Sequence, residues 1–141
     1  MPGAENHDDH VLTKASEDYL EAIYRLSLHD QVADGTVRSV DVAEQLGVSK
    51  ASVNKALSTL KETGMVEQSR YGRVTLTSRG RDYAALVWRA HRALRLFLET
   101  DLGVDPDVAD REACLMEHVL SEDTMGRLIG YLERQGLRIP E

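Results

Sequence analysis

The stretch Ser39-Val40-Asp41-Val42-Ala43-Glu44-Gln45-Leu46-Gly47-Val48-Ser49-Lys50-Ala51-Ser52-Val53-Asn54-Lys55-Ala56-Leu57-Ser58-Thr59-Leu60 decides the fold. Val42, Ala43 and Leu46 share one face of a helix running from Val40 to Leu46, with Ser39 as its cap. Gly47-Val48-Ser49 has room only for a tight turn, and a third helix follows from Lys50 to about Glu62, burying Val53, Leu57 and Leu60. Two short helices with a small residue at their crossing and a glycine between them form the layout of a helix-turn-helix. Gly64 suits the left-handed position that ends the third helix. Beyond it, Met65-Val66-Glu67-Gln68 and Val74-Thr75-Leu76 read as two short strands around Tyr71-Gly72. Arg70 and Arg73 sit at the tip of that hairpin, where a wing would grip phosphate.

Outward from this motif the chain is helical. Ser16 is the expected cap of a first helix carrying Leu20, Ile23 and Tyr24 to about Leu28, and Asp30 to Thr36 reads as a loop. Residues 1–13 are expected to be a flexible tail, and the Glu5-Asn6-His7-Asp8-Asp9-His10 cluster within them a solvated one. On the other side, Thr77 or Ser78 caps a long helix through Trp88, Leu94 and Phe97 to about Glu99. Asp105-Pro106 opens a fifth helix, and Ser121 begins a last one that ends near Gly136. The expected fold is therefore mainly α: a winged helix-turn-helix over 14–77, then an all-helical domain over 78–141.

The net charge of −7 conceals a local reversal. Residues 1–36 hold two basic side chains against eight acidic, and 82–141 hold seven against twelve, whereas 37–81 hold eight basic against four acidic. The helix-turn-helix thus occupies the one cationic segment, which is where phosphate contact requires positive charge. The exposed face of the third helix offers Ser49, Lys50, Ala51, Ser52, Asn54 and Lys55, small and polar groups suited to base edges and phosphates of double-stranded DNA. No secretion signal or membrane-length apolar run is present. The single cysteine, Cys114, excludes an internal disulfide framework, so the expected compartment is a cytoplasm.

A second constellation is made of metal-ligand types. Asp18 and Glu21 are three residues apart on the first helix. Cys114, Glu117 and His118 follow the i, i+3, i+4 pattern that places a thiol, a carboxylate and an imidazole on one patch of the fifth helix, and His91 lies on the long helix between these groups. Spacing alone leaves other readings open: a solvated acidic face, a buried cysteine acting as a small hydrophobe, a core histidine. It also permits a Cys114 nucleophile with His118 as base, although no Gly-rich oxyanion loop accompanies them.

Beyond these patterns, the sequence resembles the family of the diphtheria toxin repressor and the manganese transport regulators. The resemblance runs from about Glu17 to Leu132. It is carried by Glu17-Asp18-Tyr19-Leu20-Glu21-Ala22-Ile23-Tyr24, by the winged helix ending Val74-Thr75-Leu76-Thr77, and above all by Glu112-Ala113-Cys114-Leu115-Met116-Glu117-His118-Val119-Leu120-Ser121. It implies that Asp18, Cys114, Glu117 and His118 ligate a divalent ion, and that Glu21 and His91 match positions binding a second ion in the manganese type. Asp18 and Glu21 look like the manganese type and Cys114 like the iron type. Arg95 and Asp110 replace a Glu and a His of the iron type's ancillary site. A second site from Glu21, His91 and Glu117, with or without Asp110, is the remaining option. The implied cofactor is Fe²⁺ or Mn²⁺, one or two per chain, with the thiolate tipping the balance to Fe²⁺. The sequence stops before an SH3-like third domain, so the resemblance implies a two-domain form.

The implied function is a metal-dependent transcriptional repressor of metal-uptake genes, with the metal as co-repressor and no enzymatic activity. The helical domain is then a metal-binding and dimerisation domain. Leu86, Val87, Trp88, Leu94, Leu96, Phe97, Leu98, Leu115, Val119, Leu128 and Ile129 are more apolar side chains than it can bury alone, which favours a homodimer on a gapped palindromic operator. Neither a membrane nor an organic substrate is an expected partner. The competing reading is a winged-helix regulator gated by an organic ligand instead of a metal.

Overall fold

Thr13 starts the first helix, three residues before the expected cap. Its carbonyl accepts the Glu17 N–H at 2.9 Å and its hydroxyl accepts the Ser16 N–H at 3.0 Å. The first is the opening backbone bond of the helix and the second satisfies a first-turn donor that would otherwise be orphaned, so Ser16 falls inside the helix. The computed structural model describes residues 12–29, 35–69 and 72–139, which form two compact units, up to Ala84 and from Ala85 onward. The expected tail (save residues 12 and 13), most of the 30–36 loop, and the wing-tip residues Arg70 and Tyr71 lie outside the described residues.

In the first unit, α1 (Lys14–His29) buries Leu20 and Ile23 completely. β1 (Val37–Arg38) had no counterpart in the sequence reading, because two residues are too few to show a period of two. It is real in context: Val37 pairs with Val74 and is fully buried. The strand also moves the start of α2 (Ser39–Leu46). Arg38 is held extended at φ −91° and ψ 142°, occupies the cap position and makes no side-chain cap bond, so Ser39 is the first helical residue instead of the cap. The Arg38 guanidinium reaches Asp41 through two bonds of 3.0 Å.

α3 (Lys50–Glu62) begins at a true cap, Ser49, whose hydroxyl accepts the Ser52 N–H at 3.1 Å. Gly47, between α2 and α3, has φ +66°, a conformation that costs glycine little and other residues more. Val42, Val53, Leu57 and Leu60 meet Leu20 and Ile23 in one core. β2 (Val66–Gln68) and β3 (Arg73–Leu76) form the hairpin, and the sheet order is β1-β3-β2, antiparallel throughout.

Thr77 closes the base of the hairpin and opens α4 (Ser78–Thr100). Its hydroxyl donates to the Gly64 carbonyl at 2.6 Å and accepts the Gly80 N–H at 3.0 Å. A Cβ on Gly80 would stand 1.9 Å from the Met65 carbonyl oxygen, so only glycine lets the helix start pass the residue that leads into β2. The expected domain border at 77/78 precedes the division after Ala84, because Tyr83 and Ala84 still pack in the first core.

The second unit holds the remainder of α4, then α5 (Pro106–Met116) and α6 (Glu122–Arg134). Asp105 and Ser121 cap these helices as expected, accepting the Asp107 and Thr124 N–H groups at 3.2 and 3.1 Å. Ala109 and Ala113 of α5 pack on Leu94 and Leu98, while Ala93, Leu132 and Ile139 form a second cluster. Of the surplus apolar residues, Leu94 and Leu98 are buried, but Leu86, Leu115 and Val119 are 63%, 56% and 77% exposed. Among the described residues no helix is long and apolar enough to cross a membrane.

Gly80→Ala is expected to destabilise the chain by about 1–3 kcal/mol, the usual cost of forcing an extra methyl into a packed contact. Urea unfolding followed by circular dichroism measures it. A variant as stable as the parent would show that the α4–Met65 approach relaxes freely.

Candidate metal centre and nucleic-acid surface

The first unit presents a polar surface on α3. Ser49, Lys50, Ala51, Ser52, Asn54 and Lys55 are all exposed, while Val53 and Leu57 between and beyond them hold the helix to the core. This follows from the 3.6-residue period, which sends the buried positions to one side and leaves the N-terminal turns open on the other. Ser49 and Ser52 are partly committed to each other, with their hydroxyls 3.0 Å apart, so Asn54, Lys50 and Lys55 are the more available reading and charge groups. In the wing, Arg73 is exposed at the start of β3 and donates to the Thr36 hydroxyl at 3.5 Å. Arg70, its expected partner at the tip, lies outside the described residues.

The ligand-type residues divide between the units. In the first, Asp18 is paired with Lys14 at 3.0 Å, and Glu21, with its side chain 10% exposed, lies 3.9 Å from the Arg25 guanidinium. In the second, α5 ends one residue before Glu117. Glu117 still bonds back to the Ala113 carbonyl at 3.0 Å, but the Val119 and Leu120 N–H groups both turn to the Met116 carbonyl, at 3.0 and 3.3 Å. Glu117 and His118 therefore lie in the turn that follows the helix and not on the helix itself. The chain must leave the helix there to reach the Ser121 cap of α6.

The turn places His118 near Glu117 on one side and near Cys114, on the last turn of α5, on the other. The Glu117 side chain is 0% exposed and that of His118 6%, and the His118 Nε2 stands 4.0 Å from Glu117 Oε2. The Cys114 sulfur, on a half-buried residue, is within 4.8 Å of a His118 ring nitrogen. A thiol, an imidazole and a buried carboxylate suit a borderline divalent transition ion, and burying the carboxylate is costly unless positive charge or hydrogen bonds meet it. The donor set fits a metal on this chemistry.

His91 is bound on both sides. Its Nδ1 lies 2.8 Å from Glu117 Oε1 and its Nε2 2.9 Å from Asp110 Oδ1. Trp88 stacks on the ring, centroids 5.5 Å apart and planes 6° from parallel. Asp110 also meets the Arg95 guanidinium at 3.4 Å, and Arg95 is bonded to Glu99 at 2.6 Å, a bond that raises the Arg95 pKa above its ordinary value. Sequence reasoning did not foresee the Trp88 stack. The available signal was an aromatic side chain three residues before a histidine on one helix.

Two family models match the chain: residues 11–74 match the N-terminal DNA binding domain of iron dependent repressors, and residues 77–135 their metal binding and dimerisation domain. The chain belongs to the iron-dependent repressor family. Within it, the chain is 33% identical to the transcriptional regulator MntR of Salmonella typhimurium, over 85% of this chain and 73% of that protein. It is 32% identical to the iron-dependent repressor IdeR of Mycobacterium leprae, over 86% of this chain and 51% of that protein. Among solved structures, that of the manganese regulator SloR superposes with a TM-score of 0.74 at 29% identity, covering 89% of this chain and 59% of that one. A manganese-dependent transcriptional repressor in complex with manganese also gives 0.74, at 34% identity, covering 84% and 52%. The chain thus spans about half the length of IdeR and of these solved relatives. The winged-helix fold and the helical metal-binding and dimerisation domain expected from the sequence are those of the family.

For a family member, Lys55→Ala is expected to weaken DNA binding about equally on all sequences and to lower the salt-dependence slope by about 1, as loss of one phosphate contact does. Asn54→Ala is expected to relax preference among sites instead. Binding isotherms at several salt concentrations, on operator and unrelated DNA, separate the two. A Lys55→Ala variant with an unchanged salt slope would place that residue away from the backbone.

Proposed function

We propose that this chain is a dimeric repressor of metal-uptake genes that binds a gapped palindromic operator when Fe²⁺ or Mn²⁺ is available. The observation that carries the reading is the fully buried Glu117 carboxylate beside His118, whose ring nitrogen lies within 4.8 Å of the Cys114 sulfur. Family membership supports it, since IdeR is named an iron-dependent repressor and one similar solved structure is a manganese-dependent transcriptional repressor in complex with manganese. Cys114, Glu117 and His118 are the ligands that the helical domain offers, and Asp18 is the ligand-type residue that the first helix offers. The thiolate favours Fe²⁺ over Mn²⁺, while carboxylate ligands suit Mn²⁺. His91 is the residue whose role decides between one ion and two.

A bound divalent ion supplies positive charge and ligand sites that favour the DNA-competent conformation, and by reciprocity DNA strengthens metal binding. The remaining work falls to the chain itself. Lys50 and Lys55 meet phosphate, Asn54 reads base edges, and Arg70 and Arg73 hold the flanking backbone. The exposed Leu86, Leu115 and Val119 supply apolar surface for a second copy, and the two-fold symmetry of the dimer sets the palindrome.

Fluorescence anisotropy on DNA from the gene's own upstream region, run anaerobically at fixed salt, tests this. Binding is expected to tighten by about 5–150-fold when Fe²⁺ or Mn²⁺ replaces chelator. Glu117→Gln is expected to abolish the metal response while leaving the weak metal-free binding. Equal affinity with chelator and with metal would sink the proposal and leave a winged-helix protein gated by something else.

A further inference from the structure

The network around His91 uses every group with which that residue could hold an ion. An imidazole ligates through a ring nitrogen, and it has two. Here one nitrogen meets Glu117 at 2.8 Å and the other Asp110 at 2.9 Å, while the ring face is covered by Trp88. Asp110 also meets a cation that belongs to the protein: the Arg95 guanidinium, 3.4 Å from the same Oδ1 that contacts His91. Glu99 secures that guanidinium at 2.6 Å.

We propose that His91 is a positioning residue for Glu117 and not a metal ligand, and that Arg95 takes the place of a second ion, so that the chain holds one divalent ion. This deepens the metal reading above and rests on it. His91 engages Oε1 of Glu117 and leaves Oε2 on the side of His118, 4.0 Å from its Nε2. The carboxylate is thereby held with one oxygen toward His91 and the other toward the ligand cluster. A second divalent ion among His91, Asp110 and Glu117 would have to break both imidazole contacts and share Asp110 with a guanidinium, where like charges repel. An arginine cannot surrender its charge to make room.

Co²⁺ alone is a suitable probe, because calorimetry counts the ions bound and the thiolate-to-cobalt absorption band reports Cys114 separately. The intact chain is expected to saturate both signals at one ion per chain. His91→Gln is expected to keep that stoichiometry and the thiolate band while binding roughly 10–100-fold more weakly, as loss of a ligand's hydrogen-bond partner does. Arg95→Glu exchanges the built-in cation for a carboxylate and is expected to admit a second ion after the thiolate band has saturated. Arg95 is exposed, so this variant tests the proposal even where His91→Gln fails to fold. Two ions on the intact chain, reduced to one by His91→Gln, would overturn the inference and leave the metal-dependent reading standing. No thiolate band at any Co²⁺ concentration would overturn both.

Discussion

Glu117 carries a carboxylate out of water at the C-terminal end of α5, and an uncompensated charge in such a position costs several kcal/mol. Much of the helical unit is arranged as a response. α4 delivers His91 to one oxygen and Trp88 to the face of that imidazole. α5 supplies Asp110 on the other side of the ring, and Arg95 and Glu99 extend the chain of polar contacts outward to solvent. The termination of α5 at Met116 belongs to the same arrangement, since the turn that follows sets His118 beside the carboxylate and not one helical step away. A divalent ion bound by Cys114, Glu117 and His118 would enter a place already shaped around negative charge.

The DNA-facing half solves a different electrostatic problem. A chain of net charge −7 must approach a polyanion, and it does so by concentrating its basic residues between 37 and 81. The α3 face stays open because its buried positions, Val53, Leu57 and Leu60, are spent on the core with α1 and α2. β1 and Thr77 brace the wing at its base, one by pairing Val37 with Val74, the other by tying the Gly64 carbonyl to the start of α4. Charge placement and rigidity therefore come from separate residues, which lets surface groups be exchanged without loosening the fold.

The helices were legible in the sequence because their signals are local. Apolar spacing located α3 to the residue, and the caps Ser121, Thr77 and Asp105 are short polar side chains just before apolar runs. The errors arise where a neighbour overrides a local preference. Thr13 displaces Ser16 as a cap, β1 exists only through its pairing with β3, and that strand shifts the start of α2 onto Ser39. At the candidate site, spacing put Cys114, Glu117 and His118 on one patch of a helix, whereas the structure leaves Cys114 on α5 and sets Glu117 and His118 in the turn after it. Spacing could not reveal that His91 is engaged at both nitrogens, because its partners lie 19 and 26 residues away and only packing brings them together.

The face-to-face contact of Trp88 with His91 has an optical consequence. Trp88 is the only tryptophan in the chain, so all indole emission originates at one ring, 5.5 Å from an imidazole that contacts Glu117 directly. Any displacement of that imidazole alters the immediate surroundings of the fluorophore. The protein thus carries its own unlabelled gauge of events at the buried carboxylate, readable in solution with no dye and no substitution.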